Sequence, residues 1–258
     1  MSLIKAKDLD NFRVGGRLLA SILAKVVAMV KPGVSIHELN DLAKREMIAG
    51  GGRPAFEGYG QAWGVPGYPA VLCVSVNDEV VHGIGSRADV LRDGDIVGLD
   101  IGVIYPAKNG LYTDMAVTVA VGRVSGEAQQ LMAVTRQSLV EAIRFIKPGV
   151  ATTDLSKAVQ KYCEAYGYGV VKDLTGHGVG YQLHDEPTIP NFYSSNQPSS
   201  QLKAGMAICI EPMITVGGWQ VKTDSDQWTV RTVDGSLAAH FEHTIAVRGG
   251  AAEILTAL

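Results

Sequence analysis

Four acidic residues and one histidine stand in short motifs of the kind that bind metal ions. Asp100 and Asp114 lie in β-rich runs, His177 lies between two glycines, Glu211 ends an apolar run and Glu242 lies inside another. A carboxylate buried in such a run needs a partner, because burial penalises its charge. The alternatives are a salt-bridged strand end for either glutamate, an exposed strand position for an aspartate and a structural role for the histidine.

Together these five side chains carry a charge of −4 when the histidine is neutral, and two divalent ions would neutralise them. Oxygen-rich ligands with a single nitrogen suit Mn, Fe, Co or Zn in a paired site rather than zinc held by thiolates. Two adjacent ions can share bridging carboxylates and activate a water molecule. The residue types therefore favour metal-assisted hydrolysis.

A hairpin is the element that would bring the two aspartates together. The residues between them include Tyr105-Pro106 and Asn109-Gly110, which are strong turn signals. A symmetric hairpin centred on Ala107 places Asp100 directly opposite Asp114, with Cβ atoms about 4.5–5.5 Å apart. Like charges in that position are unfavourable unless a cation lies between them.

An internal repeat organises the chain around these motifs. Residues 30–47 (VKPGVSIHELNDLAKREM) match residues 146–163 (IKPGVATTDLSKAVQKYC) without a gap. Each copy is preceded in the chain by a segment whose apolar residues recur every 3.6 residues. These segments predict helices over 17–29 and 127–145. Ser35 and either Thr152 or Thr153 are the expected N-caps of the next helices. The alternative interpretation is a common helical hairpin that occurs twice.

Six β-rich runs lie between and after the helices, at residues 71–76, 96–104, 115–121, 207–216, 228–233 and 239–247. No Gly/Ser-rich linker separates the copies. The sequence therefore predicts an α+β fold, a single domain over 1–258 built from two related halves, about 10–123 and 124–258.

Composition excludes several classes of protein. Of 258 residues, 47% are hydrophobic, enough for a sizeable core, and the net charge is −3. Such a charge provides no basic field for nucleic acid or an anionic membrane. No run approaches the ~20 apolar residues that cross a bilayer. The three cysteines are far apart, which indicates neither a disulfide framework nor a thiolate zinc site. We expect a cytoplasmic protein.

The order of the motifs resembles that of the methionine aminopeptidases of type I, which have the pita-bread metallopeptidase fold. The matching motifs are Lys-Pro-Gly-Val at 31–34, Tyr68-Pro69, SVNDEVVHGI at 75–84, the two aspartates, Gly-His-Gly, Glu-Pro-Met and Glu-His-Thr. The resemblance implies pseudo-two-fold halves, with a curved antiparallel sheet and flanking helices. It also implies a dimetal aminopeptidase that removes the initiator methionine from nascent proteins and peptides.

The resemblance implies a role for each matching residue. Asp100, Asp114, His177, Glu211 and Glu242 correspond to the ligands of two divalent ions, with Asp114 and Glu242 bridging both. His177 and Glu211 correspond to ligands of one ion and Asp100 to a ligand of the other. His82 and His184 correspond to residues that contact the scissile peptide, and Glu211 also to a candidate general base.

A methionine pocket is implied as well. An apolar, partly aromatic slot suits a thioether, and the corresponding residues are Phe56, Tyr59, Tyr68, Cys73, Leu183 and Trp228. For Cys73 and Trp228 simple core packing is the alternative. The segment 61–66 is longer than in most such enzymes, and Trp63 is its expected substrate contact.

Other functions remain open from the sequence. Proline-directed relatives such as prolidase or aminopeptidase P share the five ligands but usually carry an additional N-terminal domain. A pita-bread protein without catalysis that binds partners or RNA would lack ligands and often have basic extensions. We expect nascent polypeptide N-termini as substrate, possible encounter at the ribosome, no nucleic acid by itself, no membrane and a monomer.

Overall fold

The computed structural model describes residues 3–257, apart from the side chain of Trp63. Its four α-helices come in two pairs. They are α1 (Leu9–Met29), α2 (Ile36–Ala49), α3 (Gly126–Ile143) and α4 (Thr152–Glu164), with short 3-10 helices at Ala6–Asp8 and Gln61–Trp63. The strands are β1 (Arg53–Pro54), β2 (Leu72–Val76), β3 (Glu79–Val81), β4 (Ile96–Tyr105), β5 (Leu111–Ala120), β6 (Gly169–Val170), β7 (Thr175–Gly178), β8 (Asp185–Pro190), β9 (Ala207–Ile210), β10 (Met213–Thr215), β11 (Val221–Thr223), β12 (Val230–Thr232), β13 (Ala238–His240), β14 (Glu242–Ala246) and β15 (Glu253–Ile254).

A nine-stranded sheet forms the centre of the protein. Its order is β1-β4-β5-β14-β9-β7-β8, with β2 also paired to β4 and β15 to β14. Two three-stranded sheets, β13-β10-β6 and β11-β12-β3, flank it. All of the assigned strand pairs are antiparallel. The predicted α+β class is confirmed.

Each helix pair packs on its own part of the sheet. One buried cluster joins α1 and α2 to β2 and β4 and includes Leu19, Leu39 and Leu99. A second cluster joins α3 and α4 to β9 and β14 and includes Leu131 and Leu155. The amphipathic stripes read from the sequence are therefore the faces that meet the sheet.

The repeated Lys-Pro-Gly-Val turns make the same backbone hydrogen bonds. Gly33 N–H donates to Leu91 O and Gly149 N–H donates to Leu202 O, both at 2.8 Å. The two glycines have φ of 90° and 89°, a left-handed conformation that glycine adopts without strain. We propose that these matched bonds reflect two related halves, 10–123 and 124–258, of one domain. Superposing the halves would test that division.

The start of the first helix differs from the expectation. The first helix begins at Leu9 rather than at residue 17. Gly15 and Gly16 lower helix propensity, but they lie where α1 packs closely on Tyr105 and Leu255. Ser35 caps α2 with a reciprocal capping box, as predicted.

The expected cap of the fourth helix is wrong. Ala151 is the N-cap of α4 and provides no side-chain cap. Thr152 is already helical, and its N–H donates to Ser200 O at 2.9 Å. The N–H of this first helical residue is thus satisfied by a neighbouring segment, and Thr153 lies inside the helix, so neither threonine is the cap.

The predicted hairpin register is also wrong by two residues. Asp100 pairs with Ala116, and Asp114 pairs with Gly102. The turn takes five residues, because Asn109 has a φ of 54° and Gly110 lies against Pro106 O, where a Cβ would be 2.0 Å away. The two aspartates are therefore diagonal neighbours on one face, which leaves more space between them than direct opposition.

Substitutions at two helical glycines test the packing of α1. Alanine usually stabilises a helix relative to glycine, but at Gly16 its Cβ would lie 2.2 Å from Leu255 O. We expect Gly16→Ala to lower the free energy of unfolding by about 1–3 kcal/mol, measured by urea denaturation. Gly126→Ala is the matched control, because no atom lies within 4 Å of its added Cβ. A Gly16→Ala protein as stable as the control would contradict the close approach.

Candidate metal centre

One cavity of about 90 Å³ contains all of the side chains that the sequence assigned to chemistry. Its walls are formed by Phe56, Tyr59, Tyr68, Cys73, His82, Asp100, Asp114, His177, Leu183, His184, Glu211, Trp228 and Glu242. The residues come from positions as far apart as 56 and 242, so only the fold brings them together.

Two antiparallel ladders position the acidic residues. The first is the β4–β5 hairpin, which carries Asp100 and Asp114. The second joins β9–β10 to β14–β13, where Glu211 follows β9 and Glu242 begins β14. The predicted strands over 207–216 and 239–247 pair with each other, and each is interrupted at the same level of the ladder. Pro212, in the first of them, has no N–H to continue the ladder there.

Thr244 connects the ladders at the site. Its hydroxyl accepts a hydrogen bond from Asp114 N–H and donates to Asp114 O, both at 2.8 Å. β5 and β14 pair directly beside it, with Glu242 opposite Ala116. This contact fixes Asp114 and Glu242 relative to each other across the boundary between the ladders.

Two groups of potential ligand atoms share Glu242. The donor atoms of Asp100, Asp114 and Glu242 all lie within 4.8 Å of one another, and so do those of His177, Cys209 and Glu242. Asp114 and Glu242 are only 4% and 2% exposed. The arrangement fits a paired metal site with a common carboxylate. Cys209 was not predicted here; its position two residues before Glu211 on the same strand face was the available signal.

Glu211 lies between two imidazole rings. His177 Nε2 is 3.4 Å from Glu211 Oε1, and His240 Nε2 is 3.6 Å from Glu211 Oε2. The sequence interpretation missed His240, although it stands two residues before Glu242 and therefore points to the same face of the strand.

Burial strongly disfavours the ionised form of these acids. It is the main cause that raises the pKa of Asp114 well above its usual range, followed by the charges of Glu242 and Asp100. Burial likewise raises the pKa of Glu211 and of Glu242 well above their usual values. Asp100 Oδ1, Asp114 Oδ1 and Glu242 Oε1 are buried without a hydrogen-bond partner among the described residues. Unsatisfied anionic oxygens facing one space fit divalent cations.

Burial favours the neutral form of the histidines in the cavity, the form that can bind a metal ion or donate a hydrogen bond. Burial lowers the pKa of His177 to about 3, and the contact between its Nδ1 and Gly178 O, 2.9 Å, leaves Nε2 for a ligand. Burial lowers the pKa of His82 to about 4. His184 reaches solvent, yet the surrounding protein desolvates it enough to lower its pKa to about 4.

An aromatic slot adjoins the acidic residues. The rings of Phe56 and Tyr68 meet edge to face at 6.4 Å, and those of Tyr68 and Trp228 at 5.3 Å. Cys73 is buried beside them. The hydroxyl of Tyr59 is hydrogen-bonded to His184 Nδ1, so the slot and the histidine are in direct contact.

The segment 61–66 lies next to this slot. Tyr59 and Tyr68 close its ends, since Tyr68 N–H donates to Tyr59 O at 2.9 Å. Trp228 Nε1–H donates to Pro66 O at 3.0 Å and so joins the segment to the slot wall. The side chain of Trp63, the expected substrate contact, lies outside the described part of the structure.

A larger groove of about 710 Å³ lies between α1 and α3 on the other face of the sheet. It is lined by residues such as Leu23, Met115 and Val119. No group of metal-binding side chains was found there among residues 3–257, so the smaller cavity is the candidate site.

Comparison with known proteins assigns the chain to a family of metal-dependent enzymes. The family model of metallopeptidase family M24 matches residues 10–249. The chain belongs to metallopeptidase family M24. As an M24 member it is a metallo-exopeptidase, and its grouped carboxylates and histidine support the use of divalent metal.

The similar proteins agree with this assignment. The chain is 40% identical over 259 residues to the methionine aminopeptidase of Aquifex aeolicus (strain VF5), covering 100% of this chain and 99% of that one. The crystal structure of a methionine aminopeptidase from Thermotoga maritima is 39% identical, with a TM-score of 0.93 and 100% coverage of both chains. A prolidase from Pyrococcus furiosus, at 19% identity and a TM-score of 0.77 over 99% of this chain and 65% of that one, shares the fold. The predicted pita-bread fold is confirmed.

No helix of residues 3–257 combines the length and apolar character required to span a membrane.

Metal ions should stabilise the protein through these carboxylates. Manganese at 100 times its Kd should raise the free energy of unfolding by about 2.7 kcal/mol. Asp114→Asn should raise the melting temperature of the chelator-treated protein, because it removes one of the mutually repelling acids, and should reduce the metal-induced increase. Calorimetry with EDTA and with Mn²⁺ measures both effects.

Asp173→Asn is the control for that experiment, since Asp173 is exposed and away from the cavity. It should change neither melting temperature. An Asp114→Asn protein with the full metal-induced increase would contradict the assignment of this residue to the site.

Proposed function

We propose that the chain is a type I methionine aminopeptidase that removes the initiator methionine from nascent proteins and peptides. The observation that carries this proposal is one cavity in which acidic residues and His177, from two potential ligand groups that share Glu242, adjoin an aromatic slot. The relatives named methionine aminopeptidase match the chain over its whole length. The physiological setting we propose is the cytoplasm, with a monomeric enzyme meeting nascent chains at the ribosome.

Two divalent ions, drawn from Mn, Fe, Co or Zn, are the proposed cofactors. Asp100, Asp114, His177, Glu211 and Glu242 would hold them, with Asp114 and Glu242 bridging. His177 and Glu211 would serve one ion and Asp100 the other. Bound ions would supply an activated water and polarise the first peptide carbonyl. Their charge would also remove the repulsion among the four acids.

Glu211 is the proposed proton acceptor. Its carboxylate lies in the cavity wall, where it would take up a proton from the attacking water and later transfer it to the leaving amine. Its side chain is 12% exposed and faces His177 at 3.4 Å. The proton thus moves within a largely enclosed site.

His82 and His184 are the proposed donors to the scissile peptide. In the hydrogen bond of His184 with Tyr59, the phenol can donate to Nδ1 and leave a proton on Nε2 for the substrate carbonyl. His82 has a φ of 59°, an uncommon conformation for a non-glycine residue that directs the ring into the cavity. Donors held in place before reaction stabilise developing negative charge without reorganisation.

The aromatic slot is the proposed methionine pocket. Tyr59, Tyr68, Cys73 and Trp228 would contact the substrate, together with Phe56 and Leu183. A flexible, polarisable thioether packs well against ring edges. Tyr68 is held rigid because its hydroxyl donates to Gly83 O at 2.8 Å.

The deciding assay compares a Met-Ala-Ser-type peptide with an Xaa-Pro peptide, combined with metal analysis of the purified protein. We expect cleavage of the methionyl bond and about two divalent ions per chain. Preference for Xaa-Pro would replace the proposal with a proline-directed peptidase.

A second peptide series tests the residue after methionine. Met-Gly and Met-Ala should be cleaved much faster than Met-Leu and Met-Arg, because a bulky second side chain must overlap the cavity wall. Equal cleavage of Met-Ala and Met-Arg would defeat the small-residue rule.

Replacement of His184 separates binding of metal from catalysis. His184→Ala should leave metal content unchanged and lower kcat by about 100-fold, the effect of losing one donor to a developing oxyanion. Metal analysis and steady-state kinetics on the same preparation measure both quantities. A parallel loss of metal and rate would instead make His184 a ligand.

A further inference from the structure

His240 is a buried histidine beside the metal centre that neither the motifs nor the proposed ligand set includes. Its side chain is 4% exposed, and its Nε2 has no hydrogen-bond partner among the described residues. That nitrogen lies 3.6 Å from Glu211 Oε2. A buried imidazole nitrogen aimed at a carboxylate without bonding to it requires a physical explanation.

The repeat places His240 at the position equivalent to Asp114. Both ladders begin with the same hydrogen bonds: Gly94 N–H donates to Val121 O at 3.0 Å, and Gly205 N–H donates to Val247 O at 2.9 Å. Asp100 stands six residues after Gly94, as Glu211 does after Gly205. Asp114 stands seven residues before Val121, as His240 does before Val247.

Strand pairing supports the same equivalence. Asp114 is paired with Gly102, two residues after Asp100, and His240 is paired with Met213, two residues after Glu211. The ladder geometry that directs Asp114 toward Asp100 therefore directs His240 toward Glu211. His240 thus occupies an inward-facing position of the site rather than an arbitrary place in the core.

We propose that His240 is a positioning residue that holds Glu211 by donating Nε2–H to Oε2. The inference rests on the proposed role of Glu211 as ligand and proton acceptor. His177 faces the other oxygen, Oε1, so the two rings would prevent the carboxylate from rotating. A closing movement of less than about 1 Å brings Nε2 to hydrogen-bonding distance.

Charge and donor supply favour a hydrogen-bonding role over a sixth ligand. Four carboxylates already balance two divalent ions, whereas a carboxylate that binds a metal through one oxygen still needs a donor for the other. The Nε2–H tautomer provides that donor. With Nε2 unprotonated, its lone pair would face Glu211 instead, which is unfavourable without a cation between them.

The test uses two substitutions that differ in the donor they retain. His240→Leu fills the space without a donor and should lower kcat by about 10–100-fold, with little change in KM. His240→Gln keeps an N–H donor and should recover most of that loss. His243→Gln is the matched control and should keep the original kcat, because its ring lies on the other face of β14, 2.9 Å from Thr256 Oγ1. Equal kcat in all three variants would overturn the proposal, and so would equal impairment in the leucine and glutamine variants.

Metal binding provides a readout that requires no peptide. Calorimetric titration of the metal-free protein with Mn²⁺ should show weaker affinity for His240→Leu and near-original affinity for His240→Gln. Failure of the methionine assay would thus refute the proposed function without removing this test. Melting temperatures of the metal-free proteins confirm that each variant is folded.

Cobalt-loaded protein distinguishes positioning from ligation. Paramagnetic proton NMR should show a shifted, exchangeable imidazole resonance from one ligand histidine, retained in His240→Gln. If the spectrum instead shows a second such resonance, and His240→Gln abolishes it together with one bound ion, then His240 is a ligand. That result would overturn the positioning role.

Discussion

The mutual repulsion of acidic side chains in a small buried space is the constraint on which the site depends. Asp100, Asp114 and Glu242 lie close enough for their oxygens to share one ion, and burial also disfavours the ionised form of their neighbour Glu211. Such a group persists in a fold only when the surrounding structure holds it rigidly. Here the rigidity comes from two long ladders, each backed by its own helix pair and apolar cluster. The stability of the core thus maintains an arrangement that is unfavourable by itself until cations bind.

The two ladders contribute in different ways although their hydrogen bonding is alike. The first is an uninterrupted hairpin, and its acids are diagonal neighbours on one face. The second is broken at Pro212, and it keeps its register from the Ile210–His243 pair to the Met213–His240 pair across the break. The break places Glu211 outside regular pairing, where its side chain contacts two imidazoles. A repeated scaffold can therefore provide unequal side chains, which the proposed two-ion site would use in distinct roles.

Periodicity predicted the helix pairs and the α+β class, because those features depend on local pattern. The residues around the cavity were indicated by the order of the motifs and the family resemblance that it carries, since they lie far apart in the chain. The Asp100–Asp114 register could not be read correctly, because the turn signals locate a turn without fixing its centre, and the turn occupies residues 106–110. His240 and Cys209 were missed for another reason. Each stands two residues before a glutamate and so shares its strand face, a signal that the sequence interpretation did not use, and strand pairing then brings it beside the acids. The predicted cap of α4 was wrong because the helix already begins at Thr152, whose N–H is bonded to Ser200 O far along the chain.

The aromatic slot and the acidic centre are coupled through the contact between Tyr59 and His184. Tyr59 belongs to the slot wall, and its hydroxyl is bonded to the histidine proposed to contact the scissile carbonyl. Tyr59 also forms the hydrogen bond that closes the segment 61–66, whose Pro66 accepts from Trp228 on the opposite wall. In the proposed function, a methionine side chain in the slot would contact the residue that is bonded to His184. Its binding energy would then favour the reactive arrangement of the proposed site, which is how remote contacts raise kcat rather than only lower KM.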